Sequence, residues 1–231
     1  MLKKITFILI LFFFFDITVL ADKIRNTELW LHRGQNYSNN IEEIFFKIDD
    51  QSWNGVELDI FFSKQHNKFF ISHDLPLNNS SQTLEDILLI NNKKIWLDFK
   101  NLSDISFSNL VKLKEKLKYI GFKNEIYIES QNFFKLKYLQ SEEVNIIFNI
   151  PIFFKNKIYL SLMSYLTNFL NFEYVSVSID SFHIIQKYFK SNQIFLFTVN
   201  SQKKICELVS KNYAFVVLTS VGPKEIDCLK E

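Results

Sequence analysis

Four short polar clusters interrupt or end runs that otherwise carry strand-forming apolar residues: His32-Arg33-Gly34, Glu57-Leu58-Asp59, His73-Asp74 and Asp98-Phe99-Lys100. Charged side chains are costly to bury without partners, so polar groups recurring at the ends of apolar runs point to one shared site. Glu57 and Asp59 are two apart, which on a strand turns both carboxylates to one face and calls for a cation between them. Hard oxygen ligands of this kind suit Mg or Ca. The competing reading is a solvated strand face, with Val56, Leu58 and Ile60 as the buried set. Asp98 and Lys100 repeat the spacing and read either as part of the site or as an internal ion pair.

Of the four histidines, His66 falls in a polar loop and His183 on a helix face, both structural positions. His32 keeps different company, beside a fixed cation, Arg33, and a glycine that lets backbone approach a ligand closely. His73 is followed by Asp74, which either orients the ring or caps a turn. The inventory of two imidazoles, clustered acids and two cations fits a metal-assisted phosphoryl reaction.

The elements that must position these groups alternate in type. Strand-like runs span Glu28 to His32, Val56 to Phe62, Ile95 to Lys100, Glu125 to Glu129, Asn145 to Ile150, Tyr174 to Ile179, Gln193 to Val199 and Phe215 to Thr219. Helical patterns fall between them, over Ile41 to Asp49, Ser108 to Lys118, Phe133 to Leu139, Tyr159 to Phe169, Phe182 to Phe189 and Lys203 to Ser210. Strand-helix alternation builds parallel sheet, and eight units suggest a closed α/β barrel of the (β/α)8 TIM type, with an open doubly wound sheet as the alternative. Phe61 to Asp74 reads as a hairpin-like excursion after the second strand, which would return His73 to the rim. His32, Glu57, Asp59, Asp98, Lys100 and Glu129 all sit at or near C-terminal strand ends, where barrels gather catalytic groups.

Composition bounds the rest. The 231 residues suffice for one sizeable core, and with no Pro- or Gly-rich linker in sight a single domain over 22–231 is expected. A net charge of +2, with lysines scattered and not striped, argues against a nucleic-acid partner. Residues 1–21 read as a secretory signal: Lys3 and Lys4, an apolar run from Ile5 to Phe15, then Val19-Leu20-Ala21 before Asp22. Export with cleavage near Ala21 is expected; an N-terminal membrane anchor is the alternative, although Asp16 breaks the run below the roughly 18 residues of a spanning helix. Cys206 and Cys228 are expected to be two buried free thiols, with a disulfide permitted by export.

Taken together, His32-Arg33-Gly34, Gly55 to Ile60, Ile71-Ser72-His73-Asp74, Thr83 to Leu88 and Trp96 to Lys100 resemble the glycerophosphodiester phosphodiesterases of the phospholipase-C-like phosphodiesterase superfamily. Weaker echoes continue in Ile128-Glu129-Ser130 and Phe197-Thr198-Val199-Asn200. The resemblance implies a (β/α)8 barrel that binds one divalent cation through Glu57, Asp59 and Asp98. It implies His32 and His73 as the acid-base pair and Arg33 and Lys100 as cations that hold the phosphate. Glu129 would support substrate or metal from the fourth strand end. The chain departs from the family pattern at Ser38-Asn39-Asn40, where an acidic residue is usual, at Asp98, where Glu is commoner, and at Ser220. A short stretch between His73 and Asp98 implies a more open pocket.

The implied reaction cleaves a small phosphodiester to glycerol 3-phosphate and an alcohol. A phospholipase acting on intact lipid, touching the membrane through the Phe-rich segment Phe148 to Phe154, is a second expectation. A barrel that binds metal and phosphoester without turnover is a third.

Overall fold

The structure, a computed structural model, describes residues 26–38, 40–75, 81–151, 156–190 and 193–230. The expected signal over 1–21 lies outside the described residues, among which no helix is long and apolar enough to cross a membrane. Among the described residues the strands run β1 (Glu28–Leu31), β2 (Gly55–Ser63), β3 (Lys68–Ile71), β4 (Lys94–Phe99), β5 (Glu125–Ser130), β6 (Val144–Asn149), β7 (Tyr174–Ser178), β8 (Gln193–Phe197) and β9 (Val216–Thr219). The helices are α1 (Ile41–Gln51), α2 (Phe107–Gly121), α3 (Phe133–Leu139), α4 (Lys157–Phe169), α5 (Phe182–Ile185) and α6 (Gln202–Lys211).

The sheet closes on itself. Neighbours run β1-β9-β8-β7-β6-β5-β4-β2, all parallel, and β1 pairs again with β2. This is a closed eight-stranded parallel barrel with helices between strands, and closure leaves its strands no free edge. The expected excursion is present: β3 runs antiparallel to β2, and a 3-10 turn over Leu84–Leu89 follows in place of a crossover helix.

Alternation along each strand sorts side chains between two cores. Val56, Leu58 and Ile60 of β2 and Ile95, Leu97 and Phe99 of β4 face outward into the layer beneath the helices. There they meet stripes at helical spacing: Ile41, Ile44, Phe45 and Ile48 on α1, and Leu110, Leu113, Leu117 and Ile120 on α2. The inward positions form a second, aromatic core of Trp30, Trp96, Tyr127, Tyr174, Phe195 and Phe215. Edge-to-face contacts knit it, with ring centroids 5.5 Å apart for Trp30 and Tyr127 and 4.9 Å for Trp96 and Phe195. Gly55 is the counterpart of that filling: a Cβ there would stand 2.7 Å from the Trp30 ring and 2.9 Å from the Lys94 carbonyl.

The register stacks chemistry in levels. Lys94 pairs across with Glu125, Trp96 with Tyr127, and Asp98 with Glu129, while Asp59 stands beside Asp98. At the N-terminal end Glu28 accepts from Trp30 Nε1 at 2.9 Å and from Lys94 Nζ at 2.6 Å, which closes the barrel floor. The aromatic plug fills the middle, and the acids are left at the C-terminal rim.

Two expectations need correction. Phe182 to Phe189 is regular helix only over α5 and continues as turns to the buried Phe189. Cys206 and Cys228 are not free thiols but a disulfide, because the chain after β9 turns back through buried Ile226 and brings the two Cα atoms to 5.9 Å. The bond closes a loop with a sequence separation of 22, and its reduction is expected to cost about 3 kcal/mol through the entropy returned to the unfolded chain. Urea melts with and without dithiothreitol measure the loss, which Cys206→Ser should already show in the absence of reductant.

Candidate active site at the C-terminal rim

The side chains that the sequence singles out lie on or just past five strands, β1 to β5. Arg33, just past β1, adopts a left-handed backbone (φ 51°) that turns its own N–H inward to donate to Glu57 Oε2 at 2.7 Å. Gly34 follows in space so tight that an added Cβ would lie 2.5 Å from Val56. The Arg33 side chain returns toward the same carboxylates, with Nε 3.4 Å from Asp59 Oδ2. The Lys100 backbone N–H donates to Ile60 O at 3.0 Å, and Asn101 makes paired bonds to both backbone groups of Phe62, so β4 and β2 hold each other's ends. Lys100 Nζ thereby reaches Asp59 Oδ1 at 2.5 Å and bonds Asp98 as well.

Glu57, Asp59 and Asp98 converge so that one carboxylate oxygen from each lies within 4.8 Å of the others. Burial, and the like charges of Asp59 and Asp98, push the Glu57 carboxyl well above its usual range. Asp98 is pushed up by burial and pulled back by Lys100. Two fixed cations face three acids, with Lys100 Nζ as the partner of the buried Asp59 Oδ1. The donor set is hard oxygen, the charge balance still calls for a cation, and the residues fit a divalent ion. These three side chains could hold one.

His32 lines the same cavity as Glu57 and Asp98, with Nε2 3.3 Å from Thr198 Oγ1 and its backbone N–H donating to Thr219 O at 3.1 Å. Burial, with Arg33 beside it, lowers its pKa to about 4, so the ring is neutral at ordinary pH. Glu129 is buried against Trp96. It accepts from Trp96 Nε1 at 2.5 Å, from Ser176 Oγ at 2.7 Å and from Asn149. Burial and then Asp98 push it up to about 8, against the pull of the Asn149 and Ser176 bonds. His32, Arg33, Glu57, Asp98, Lys100 and Glu129 all line one cavity of about 750 Å³.

His73 is the exception. The hairpin returns it to the rim, where Ser72 N–H donates to Asp59 O at 2.9 Å. Its ring, however, is 45% exposed, points to Asp74 with Nδ1 3.1 Å from Oδ2, and lines a separate hollow of about 310 Å³ with Gln35. The sequence reading missed Gln35, whose Nε2 donates to Asp59 Oδ2 at 2.6 Å and which stands next to the His-Arg-Gly triplet. It also missed Asn149 and Ser176, uncharged residues with no signal of their own at strand ends, and held Thr198 only as part of the weak echo Phe197 to Asn200. Asn40, in the stretch that lacks the usual acid, caps α1 by accepting from Glu42 N at 2.8 Å. Phe148 is buried against Phe133 and Phe172 and offers no interfacial contact; residues 152–155 lie outside the described residues.

No family model and no curated protein matches the chain. Similar solved structures include the glycerophosphodiester phosphodiesterase from Parabacteroides distasonis, at TM-score 0.61 and 12% identity over 88% of this chain and 97% of that one. A glycerophosphodiester phosphodiesterase from Agrobacterium tumefaciens is similar at TM-score 0.53 and 11% identity, covering 87% and 99%. A mutant tryptophan synthase α-subunit from Pyrococcus furiosus is similar at TM-score 0.55 and 15% identity, covering 89% and 94%. At such identities the likeness establishes the barrel, which enzymes of different chemistry share, so function rests on the site.

Two titrations follow. Histidine NMR should show one imidazole with a midpoint near 4, missing in His32→Ala. In the metal-free protein Glu129 keeps its proton up to about 8 while the unfolded chain releases it near 4.5. Folding therefore binds a proton in that window, and stability falls as pH rises through it, by a few kcal/mol at most. The urea midpoint should drop between about pH 5 and about pH 8, and drop less in Glu129→Gln.

Proposed function

We propose that the protein is a metal-dependent phosphodiesterase that cleaves glycerophosphodiesters, or related headgroup phosphodiesters, to glycerol 3-phosphate and an alcohol. The observation that carries the reading is the convergence of Glu57, Asp59 and Asp98 beside Arg33, Lys100 and a neutral His32 in one cavity. Its support from similarity is the resemblance of the same clusters to glycerophosphodiester phosphodiesterases, two of which share the barrel.

Glu57, Asp59 and Asp98 would hold a single Mg or Ca ion. When bound, that ion supplies positive charge against the phosphoryl oxygens. Arg33 and Lys100 supply fixed charge to the same phosphate, and Arg33 offers a fork-shaped partner for two of its oxygens. His32, neutral in the resting site, is placed to start as the base. Its ring nitrogen takes the proton of the attacking hydroxyl, from water or from a neighbouring hydroxyl of the substrate, as the new oxygen–phosphorus bond forms. The bond to the departing alkoxide breaks, and that oxygen takes a proton from His73, whose ring would turn from Asp74 toward the pocket. An internal attack leaves a cyclic phosphate, which water opens with the same two groups. Glu129 holds Trp96 and Asn149 in place at the wall.

Residues 22–231 contain the whole barrel and are the chain to assay. Release of glycerol 3-phosphate from glycerophosphodiesters should require Mg or Ca and stop with EDTA. His32→Ala should lose about 10²- to 10⁴-fold in kcat with an unchanged circular dichroism spectrum, as expected for a lost acid-base group. Asp59→Asn should lose the dependence on added cation together with the activity. Turnover that ignores EDTA removes the metal, and full activity in His73→Ala removes that residue as the acid.

A further inference from the structure

Three consecutive helices of the barrel begin with a large apolar side chain held out in solvent. Phe107 in the first turn of α2 is 68% exposed, Phe134 in α3 is 83% exposed and Ile158 in α4 is 79% exposed. In a (β/α)8 barrel each helix starts where the chain leaves the C-terminal end of its strand, so these tips stand on the face that carries the pocket mouth. The pocket-wall residues Ser103, Asn132 and Pro151 each precede one of them by a few positions. Single exposed apolar residues are ordinary, but a row of three along one side of a binding mouth marks an interaction surface.

The three helices form one continuous sector. Lys135 Nζ on α3 donates to the carbonyls of Leu102, Ser103 and Ile105 on the approach to Phe107, and Lys137 Nζ donates to Leu170 O at 2.6 Å at the end of α4. The exposed apolar face also continues down α4 through Leu162, Tyr165 and Phe169 at helical spacing. The sector is basic as well: α2, α3 and α4 together carry seven lysines against one acid, Glu115. Lys116 and Lys118 face Glu85 and Glu115, whereas Lys114, Lys135 and Lys137 bond neutral oxygens and keep their charge uncompensated. Asp104, exposed just before α2, is the acid on the same edge.

We propose that this sector rests on a lipid bilayer that contains anionic headgroups, with Phe107, Phe134 and Ile158 entering its interface. The pocket would then take a phosphodiester presented at the membrane surface. The identity of that substrate rests on the phosphodiesterase reading; the docking itself does not. A basic sector with protruding apolar tips complements an anionic interface on both counts, each inserted Phe or Ile adding about tenfold to affinity and each Lys that reaches the surface about fivefold. A second copy of the chain would set lysine against lysine and cover the mouth.

The test is co-sedimentation of residues 22–231 with vesicles of phosphatidylglycerol and phosphatidylcholine, and with phosphatidylcholine alone. The protein should pellet with the anionic vesicles, less with the neutral ones, and be released by salt. Combined Phe107→Ser, Phe134→Ser and Ile158→Ser should weaken vesicle binding by at least about tenfold while leaving the melting temperature and the hydrolysis of a soluble glycerophosphodiester unchanged. Protein that stays in the supernatant with anionic vesicles overturns the proposal. So does a triple variant that binds as tightly as the parent, or a dimer in sedimentation velocity that the same substitutions dissolve. Vesicle binding without turnover of the soluble substrate would support docking and sink the phosphodiesterase reading alone.

Discussion

The site depends on like charge held together. The parallel register sets Asp59 beside Asp98, and alternation along β2 adds Glu57 to the same inward face. Converged and buried, Asp59 and Asp98 raise the proton affinity of Glu57, burial raises that of Asp98, and a cation is the remedy. Arg33 and Lys100 meet part of that demand without exhausting it. In the proposed function the same two cations would hold the phosphate. On that proposal one electrostatic arrangement would serve both metal and substrate.

The barrel makes this arrangement possible by separating tasks by level. The floor is closed by Glu28 with Lys94, the middle is filled by interlocked aromatic rings, and the rim is left for polar groups. The rings exclude water from beneath the acids, so burial can act on Glu57 and Glu129 from below while the pocket opens above them. Gly55 shows how closely these levels are coupled, since the absence of its side chain makes room for Trp30 and sits two residues before Glu57.

Much of this was legible in the chain because it repeats with period. Val56, Leu58 and Ile60 mark the outer face of β2 as clearly as Glu57 and Asp59 mark the inner one, and the helical stripes on α1 and α2 give the outer ring. The hairpin after β2 follows from the same periodicity, whereas eight strand-helix units suggest closure without ruling out an open sheet. What stayed hidden depends on where a side chain points once distant segments meet. His73 returns to the rim as its hairpin requires, yet its ring settles against Asp74, and spacing carries no information on that choice. Gln35, Asn149 and Ser176 bond buried acids through uncharged groups that look like any loop or strand residue. The Cys206–Cys228 bond likewise required the turn after β9, which local pattern does not reveal.

The central physical claim is that Glu57, Asp59 and Asp98 share one cation. Crystals of residues 22–231 soaked in Mn²⁺ address it directly through the anomalous difference map. A single strong peak within about 2.6 Å of an oxygen from each of the three carboxylates, with Lys100 moved off Asp59, is the predicted result. No peak at the rim, or a peak coordinated elsewhere while Lys100 keeps its place between Asp59 and Asp98, would contradict it.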